Sequence, residues 1–397
     1  MARLLRCSAL AVLVLSTLGL RAPLWAQTTL FNDVLVPGVV IAHSPKSTGI
    51  WYASPAMAIL PDGSYVASHD ASSLRKTMVH RSSDEGKTWS HVATLDEAGF
   101  SNLFAHENAL FLLGTTGGSS SLVIRRSTDG GRTWTTPRDA ATGLLKPATK
   151  QVVYHTASVP VLIAKGRIWR GYESRPTAPE TKDAFRAGVM SAPVSADLLN
   201  AASWTFTNEV PSAADWLPDG NFKSWREGTV VADRDGNVLN IIRVDVPKGA
   251  SEKAAIMRVR SPTSITFDPA KDIIDFNGGA KKFTIRRHPK SDRYYAIVSL
   301  ITDENRDAAV LPSSHRNIAA VVESPDLRTW TVKRIVLKDL SDMANIGFQY
   351  WDWQFDGDDI VAVSRTAFPD GMGGATRFHD ANFFTFHRFE NVRAPTR

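Results

Sequence analysis

Cysteine is almost absent from this chain. Cys7 is the only cysteine among the 397 residues, and it lies in an N-terminal segment that we expect to be removed. The mature protein would then contain no thiol, which excludes disulfide bonds, cysteine-ligated metals and a cysteine nucleophile.

Long apolar runs are also missing. One run of about twelve residues, from Ala9 to Leu20, follows two arginines and is followed by small residues up to Ala26. This pattern is typical of a secretory signal peptide, because a membrane-spanning helix needs roughly 20 apolar residues. We predict a signal peptide over residues 1–26, a single domain over residues 27–397 and a secreted or periplasmic protein with no membrane attachment after cleavage. A retained membrane anchor is the alternative.

Blocks of like charge do not occur. The formal net charge is +6, of which Arg3 and Arg6 belong to the leader, and no five consecutive Lys or Arg residues are present. We therefore expect no nucleic-acid partner. No tight metal-ligand spacing such as H-E-x-x-H is found, so we predict neither a metal nor a cofactor. The small basic excess allows either a solvated basic surface or a local pocket for an anionic sugar.

A repeated motif is the most informative feature that the sequence does contain. Ser82–Trp89 and Ser127–Trp134 share the pattern S-x-D-x-G-x-T-W, and Asp84 and Asp129 lie 45 residues apart. In such a turn the aspartate accepts backbone N–H groups, glycine supplies the left-handed conformation and tryptophan packs beneath. The spacing is that of a four-stranded propeller blade.

Two weaker copies extend the repeat along the chain. Ser195–Asp197 with Trp204 forms a decayed copy, and Ser324–Trp330 forms a copy that is one residue short. We predict an all-β, six-bladed propeller, closed by a strand at Leu30–Ile41 that pairs with blade six. The predicted blades begin near the following residues: Ala53, Asn102, His155, Arg226, Phe283 and Tyr350.

Candidate site residues follow from this architecture. The loops that enter the first strands and leave the second strands of a propeller meet around the axis at one face. Carboxylates in different environments can divide acid and base roles, and arginines can hold an anionic substrate. For each residue taken singly, packing or a structural ion pair is the alternative. The candidates are Asp70, Glu227 and Tyr350 for catalysis, and His69, Arg243, Arg286, Arg316, Asp352, Arg365 and His379 for substrate binding.

The repeats resemble the Asp box, or BNR repeat, of the sialidase (neuraminidase) superfamily. That resemblance implies a propeller of sialidase type, with Tyr350 as the nucleophile and Glu227 as the group that polarises it. It further implies that Asp70 is the acid/base, and that Arg243 and Arg316 contact the substrate carboxylate. The family's first-blade motif, F/Y-R-I-P, is replaced here by Tyr52–Pro55, with Ala53 in place of the arginine. We therefore expect poor activity on ordinary sialosides.

Three functions are consistent with these residues. The first is a monomeric exo-glycoside hydrolase that cleaves a terminal, acidic or otherwise decorated sugar from a glycan or polysaccharide. The second is a polysaccharide lyase, in which histidine and tyrosine abstract a proton next to a uronate carboxylate. The third is a non-catalytic propeller that binds carbohydrate, since an Asp box is an element of the fold and argues only weakly for activity.

Overall fold

The computed structural model describes residues 27–72, 74–178 and 184–392. The predicted signal peptide lies outside these ranges. Within them, no helix is both long enough and apolar enough to cross a membrane.

The chain begins with three short strands. The first two form a hairpin with a two-residue turn at Asn32 and Asp33, whose φ angles of 44° and 63° are those of a type I′ turn. The prediction of one strand over Leu30–Ile41 is therefore wrong, because this turn divides the segment. The strands are β1 (Thr28–Phe31), β2 (Val34–Pro37) and β3 (Val39–His43).

Six antiparallel sheets follow and form the blades. Blade one contains β4 (Tyr52–Ile59), β5 (Tyr65–Ala71), β6 (Lys76–Ser82) and β7 (Ser90–Asp96). Blade two contains β8 (Gly99–His106), β9 (Ala109–Thr115), β10 (Leu122–Ser127) and β11 (Leu144–Lys146). Blade three contains β12 (Val152–His155), β13 (Leu162–Ala164), β14 (Arg167–Pro176), β15 (Arg186–Pro193), β16 (Thr205–Phe206) and β17 (Val210–Pro211).

The second half of the ring follows the same order. Blade four contains β18 (Ser224–Ala232), β19 (Val238–Asp245), β20 (Lys253–Ser261), β21 (Ser264–Thr266) and β22 (Ile273–Asp275). Blade five contains β23 (Thr284–Arg287), β24 (Tyr294–Ser299), β25 (Ile318–Ser324) and β26 (Thr331–Lys338). Blade six contains β27 (Gly347–Asp356), β28 (Asp359–Ala367) and β29 (Phe383–Phe389). Helical segments are short: α1 (Pro269–Asp272) and 3₁₀ turns at Lys46–Thr48, Ala201–Ser203, Ala214–Trp216, Pro218–Gly220 and Pro312–Ser314.

The ring is closed by the N-terminal strand. β3 pairs antiparallel with β29, with Phe383 opposite His43, and is the fourth strand of blade six. The two ends of the chain thus share one sheet, which leaves the ring no unpaired blade. The predicted all-β, six-bladed propeller is confirmed, and so is its closure by an N-terminal strand.

The apolar core lies between neighbouring blades. Val66 of blade one packs in one cluster with Leu112 of blade two, and the same alternation of clusters continues around the ring. Both faces of the sheets are covered in this way, and second strands such as β9 and β24 are buried along almost their whole length. The rigid ring that results fixes the loops at its two ends.

Three turns between the third and fourth strands of blades share one geometry. The indole N–H groups of Trp89, Trp134 and Trp330 each donate to the carbonyl three residues earlier, at 2.9–3.2 Å. These tryptophans thus occupy equivalent outer turns in blades one, two and five. The turns lie at the end of each blade opposite to the face where the first strands begin. We call that latter face the site face.

Candidate active site

A β-bulge recurs at the start of four innermost strands. In blades one, two, four and six the first strand carries one extra residue relative to the second strand. The bulges place Ser54, Phe100, Glu227 and Tyr350 in the left-handed region, with φ of 48°, 49°, 66° and 58°. A non-glycine residue pays roughly 1–3 kcal/mol for such a backbone, and such strain is concentrated at functional sites. The four residues occupy equivalent positions at the site face.

Two of the bulge residues are joined directly. The Tyr350 hydroxyl donates a hydrogen bond of 2.8 Å to Glu227 Oε1, and Arg243 Nη1 donates one of 2.8 Å to Glu227 Oε2. Arg243 also donates to Asp245 Oδ1 at 2.7 and 3.0 Å, while Arg226 holds the other oxygen of Asp245 at 2.9 Å. Blade four therefore presents a fixed carboxylate to a tyrosine from blade six.

Glu227 is ionised throughout the ordinary pH range. Its burial would raise the pKa, but the charges of Arg243, Arg226 and His155 and the Arg243 hydrogen bond outweigh burial and lower the pKa to about 2. An ionised carboxylate at 2.8 Å accepts the phenolic hydrogen bond and can take the proton while the phenol oxygen forms a new bond. The pair can thus make the Tyr350 oxygen more nucleophilic.

Two further arginines lie against the Tyr350 ring. The guanidinium carbons of Arg365 and Arg316 are 4.4 and 5.3 Å from the ring centroid. Arg316 donates to the side chain of Gln349, and Arg365 donates to the carbonyl oxygen of His379 at 2.6 Å. Both arginines are buried, whereas Tyr350 is partly exposed. Neither forms an ion pair with any carboxylate of the described ranges.

Burial of these unpaired charges has an electrostatic consequence. Desolvation lowers the pKa of Arg316 to about 10, and it lowers the pKa of Arg365 as well. Buried cations are normally paired with an anion. The two guanidinium groups therefore favour the binding of an anionic group in front of Tyr350.

Asp70 approaches the same face from blade one. Its Oδ1 accepts the Thr77 hydroxyl at 2.7 Å, and its Oδ2 accepts the Phe100 N–H at 2.8 Å. Burial raises the pKa of Asp70 to about 6, although these bonds, a bond from Ser54 and the positive charge of Arg365 act in the opposite direction. A carboxyl group with this pKa can donate and accept a proton near neutral pH.

His379 and Trp51 form one wall next to the arginines. The His379 ring lies 5.1 Å from the Trp51 ring and its Nδ1 lies 2.7 Å from Asp380 Oδ1. Burial and the charges of Arg365 and Arg316 lower the pKa of His379, although Asp380 acts in the opposite direction. Trp51 also stacks on the Arg365 guanidinium at 4.9 Å. Trp51 did not follow from the sequence, although a tryptophan directly before an innermost strand is a signal that could have identified it.

Three predicted substrate-binding residues lie away from this cluster. Asp352 is fully buried below the bulge, where its Oδ2 accepts hydrogen bonds from the Met57 N–H and the Asn102 amide at 2.9 and 3.1 Å. Arg286 pairs with Asp352 at 3.4 Å and donates to the Trp353 carbonyl. The structure therefore corrects these two assignments: both side chains hold the blades together along the axis.

His69 is the third such residue. It is buried, its ring packs 4.2 Å from the Tyr52 ring, and its Nε2 lies 3.2 Å from Nε2 of His80. Because side chains alternate along β5, His69 points to the face opposite to Asp70. It packs between strands and does not reach the cluster around Tyr350.

Comparisons with known proteins find similar structures but no similar sequences. No family model matches the sequence, and no curated protein matches it. An α-L-arabinanase of Penicillium chrysogenum in complex with arabinobiose is similar in structure, with a TM-score of 0.57, 13% identity and coverage of 94% of this chain and 99% of that chain. A sialidase described as Hadza microbial is also similar, with a TM-score of 0.58, 14% identity and coverage of 91% of this chain and 70% of that chain. An α-L-arabinofuranosidase of Fusarium graminearum with an iminosugar inhibitor has a TM-score of 0.58 and 11% identity, with coverage of 93% of this chain and 99% of that chain. At these identities the likeness establishes a sialidase-like propeller fold.

Proposed function

We propose that the protein is a secreted or periplasmic, monomeric exo-glycoside hydrolase that removes a terminal acidic sugar from a glycan or polysaccharide. The observation that carries this proposal is the hydrogen bond between Tyr350 and Glu227, with Arg243 on the other carboxylate oxygen. The names of the similar structures, which include an arabinanase and a sialidase, lend support to carbohydrate as the substrate class. The protein needs no cofactor in this scheme.

The reaction would proceed in two displacements. Tyr350 Oη bonds to the anomeric carbon and passes its proton to Glu227, while the bond from that carbon to the glycosidic oxygen breaks. Asp70 gives its proton to the departing oxygen. A water molecule, deprotonated by Asp70, then attacks the anomeric carbon, and Tyr350 leaves with the proton from Glu227. Two inversions at one carbon give a product of retained configuration.

The arginines define the charge of the substrate. Arg316 and Arg365 are buried against Tyr350 with no ion-pair partner in the described ranges, so a carboxylate on the terminal sugar would compensate both. Ala53 occupies the position of the arginine that sialidases use in blade one, and Arg365 supplies a guanidinium from blade six instead. Because this charge comes from another direction, we expect ordinary sialosides to be poor substrates.

A glycan panel tests the proposed function. The purified protein is incubated with uronate-terminated, sialylated and arabinofuranosyl oligosaccharides, and reducing ends and ultraviolet absorbance are both followed. We expect new reducing ends without new absorbance, and faster release from uronate-terminated glycans than from sialosides. New absorbance would indicate the double bond that a lyase forms. No change on any glycan would support a binding propeller, and efficient release of sialic acid would contradict the assigned substrate class.

The pH dependence of kcat/KM tests the role of Asp70. A general acid must be protonated in the free enzyme, so kcat/KM should fall about tenfold per pH unit above pH 6, the pKa of Asp70. The Thr77→Val change removes a hydrogen bond that favours the charged carboxylate, which raises the pKa of Asp70. The pH above which kcat/KM falls should then rise by roughly one unit.

An exposed threonine far from Asp70 in the sequence serves as the control for this experiment. Thr331→Val changes an exposed residue at the start of β26 in blade five. In this variant kcat/KM should begin to fall at the same pH as in the wild type. If this pH is unchanged in Thr77→Val, or shifts equally in both variants, the assignment of Asp70 is contradicted.

A further inference from the structure

A second basic region adjoins the cluster around Tyr350. A cavity of about 710 Å³ lies between the ends of β18 and β19 and the loop before β25. Arg226 and Asp245 line it from blade four, and Leu311 and Ser313 line it from the loop before β25. The Ser313 carbonyl accepts a hydrogen bond of 2.8 Å from Arg316 Nε. Two of its lining residues thus contact the site: Asp245 binds Arg243, which holds Glu227, and Ser313 binds Arg316. We call it the blade-four cleft.

The charges that line the blade-four cleft are mostly positive. Three lining residues are cationic, namely Lys223, Arg226 and Lys248. Among the described residues that line the cavity, Asp245 is the one carboxylate. That carboxylate is already shared by two guanidinium groups, those of Arg243 and Arg226. Lys223 donates to the Gly220 carbonyl at 2.8 Å, and Lys248 is exposed and forms no ion pair within the described ranges. The cleft thus carries positive charge that the protein itself does not neutralise.

We infer that the blade-four cleft binds a second anionic group of the glycan, a carboxylate or a sulfate, in addition to the group held by Arg316 and Arg365. This inference rests on the proposed function and extends it, because it assigns a substrate with at least two negative charges. An ammonium group on a flexible stem contacts such an oxyanion without a fixed geometry. Lys223 and Lys248 would contact it from the solvent side, and Arg226 from the wall. The half-exposed Leu311 offers an apolar surface to the face of a sugar ring.

Binding to a double variant tests the inference. The Lys223→Gln, Lys248→Gln protein is made in a Tyr350→Phe background, so that no ligand is consumed, and titrated by calorimetry. The probes are trigalacturonate, a chondroitin sulfate tetrasaccharide and neutral arabinotriose. Each exposed ion pair contributes up to about fivefold in affinity, so we expect a loss of about tenfold for an anionic probe and none for arabinotriose. A loss on trigalacturonate would show that the cleft binds a carboxylate. A loss confined to the chondroitin sulfate tetrasaccharide, which carries carboxylates as well, would assign the cleft to sulfate.

The control removes the same charge elsewhere. Lys87→Gln with Lys290→Gln changes two exposed lysines in turns at the other end of the blades, and affinity should not change. Affinity for the anionic probes should also fall more steeply with salt in the parent than in the cleft variant, because ions screen exposed charges. Equal affinities of parent and cleft variant for every probe, or an equal loss in the control, would overturn the inference. The outcome is independent of turnover on the glycan panel, which reports the proposed function.

Discussion

Replacing Tyr350 with phenylalanine is expected to lower kcat/KM on a cleavable glycan by on the order of 10³-fold or more. The change removes one oxygen atom, the one that donates to Glu227 at 2.8 Å and that would attack the anomeric carbon. Without it, the hydrolysis can no longer be divided into two displacements. The ring itself remains and keeps its contacts with Arg316 and Arg365. Steady-state kinetics and the thermal unfolding midpoint of both proteins test this expectation.

Tyr294 provides a matched control. Its hydroxyl is buried in blade five and has no hydrogen-bond partner in the described structure. Tyr294→Phe therefore removes the same atom from a site where it makes no bond, and kcat/KM should stay within about twofold of the wild type. Near-normal activity of Tyr350→Phe would exclude a tyrosine nucleophile, and an equal loss in both variants would point to a general effect on the fold.

The repeat pattern determined most of what could be predicted of the fold. The spacing of the S-x-D-x-G-x-T-W motifs, together with strand alternation, was enough for six blades, because each blade needs its own turn signals and its own apolar alternation. The segment Leu30–Ile41 was misread because Asn32 and Asp33 are both tolerant of the left-handed conformation. Their two-residue turn is a local event inside an otherwise continuous β-prone run.

The site was harder to predict because the bulges have no glycine signal at their left-handed positions. Glu227 and Tyr350 adopt positive φ as ordinary residues, and the tertiary structure imposes that conformation. One extra residue also changes which side chains face the axis beyond it. Asp352, only two residues after Tyr350, was therefore placed with the site although it binds Arg286 and the backbone of blade one below it.

Arginines at strand ends show the same limit. The sequence places Arg243 and Arg365 at the ends of second strands, and nothing in it distinguishes a paired guanidinium from an unpaired one. In the structure Arg243 contacts two carboxylates, whereas Arg365 contacts a carbonyl oxygen and two aromatic rings. This difference arises from the relative positions of blades four and six, which long-range packing determines. It leaves Arg365 without a carboxylate partner in the described ranges, whereas both carboxylate partners of Arg243 belong to blade four.

Arg243→Leu is accordingly expected to cost about 3–5 kcal/mol in the free energy of unfolding at neutral pH. Glu227 is buried, and Arg243 is the cation that donates to it, so the change leaves a buried carboxylate without its ion-pair partner. Arg306→Leu, which breaks an exposed pair of 3.7 Å with Asp303, should cost no more than about 1 kcal/mol. Urea unfolding followed by tryptophan fluorescence measures both, and Arg243→Lys should recover part of the loss.

The pH dependence of this loss separates electrostatics from packing. The folded protein holds the pKa of Glu227 at about 2, below its ordinary value of 4.5. A depressed carboxylate pKa stabilises the folded state above the unfolded pKa, and that stabilisation is lost as the pH falls through the folded pKa. The difference between wild type and Arg243→Leu should therefore be largest above pH 4.5 and shrink between pH 4.5 and 2. A difference that stayed constant over this window would mean that Arg243 contributes through the packing of its side chain alone.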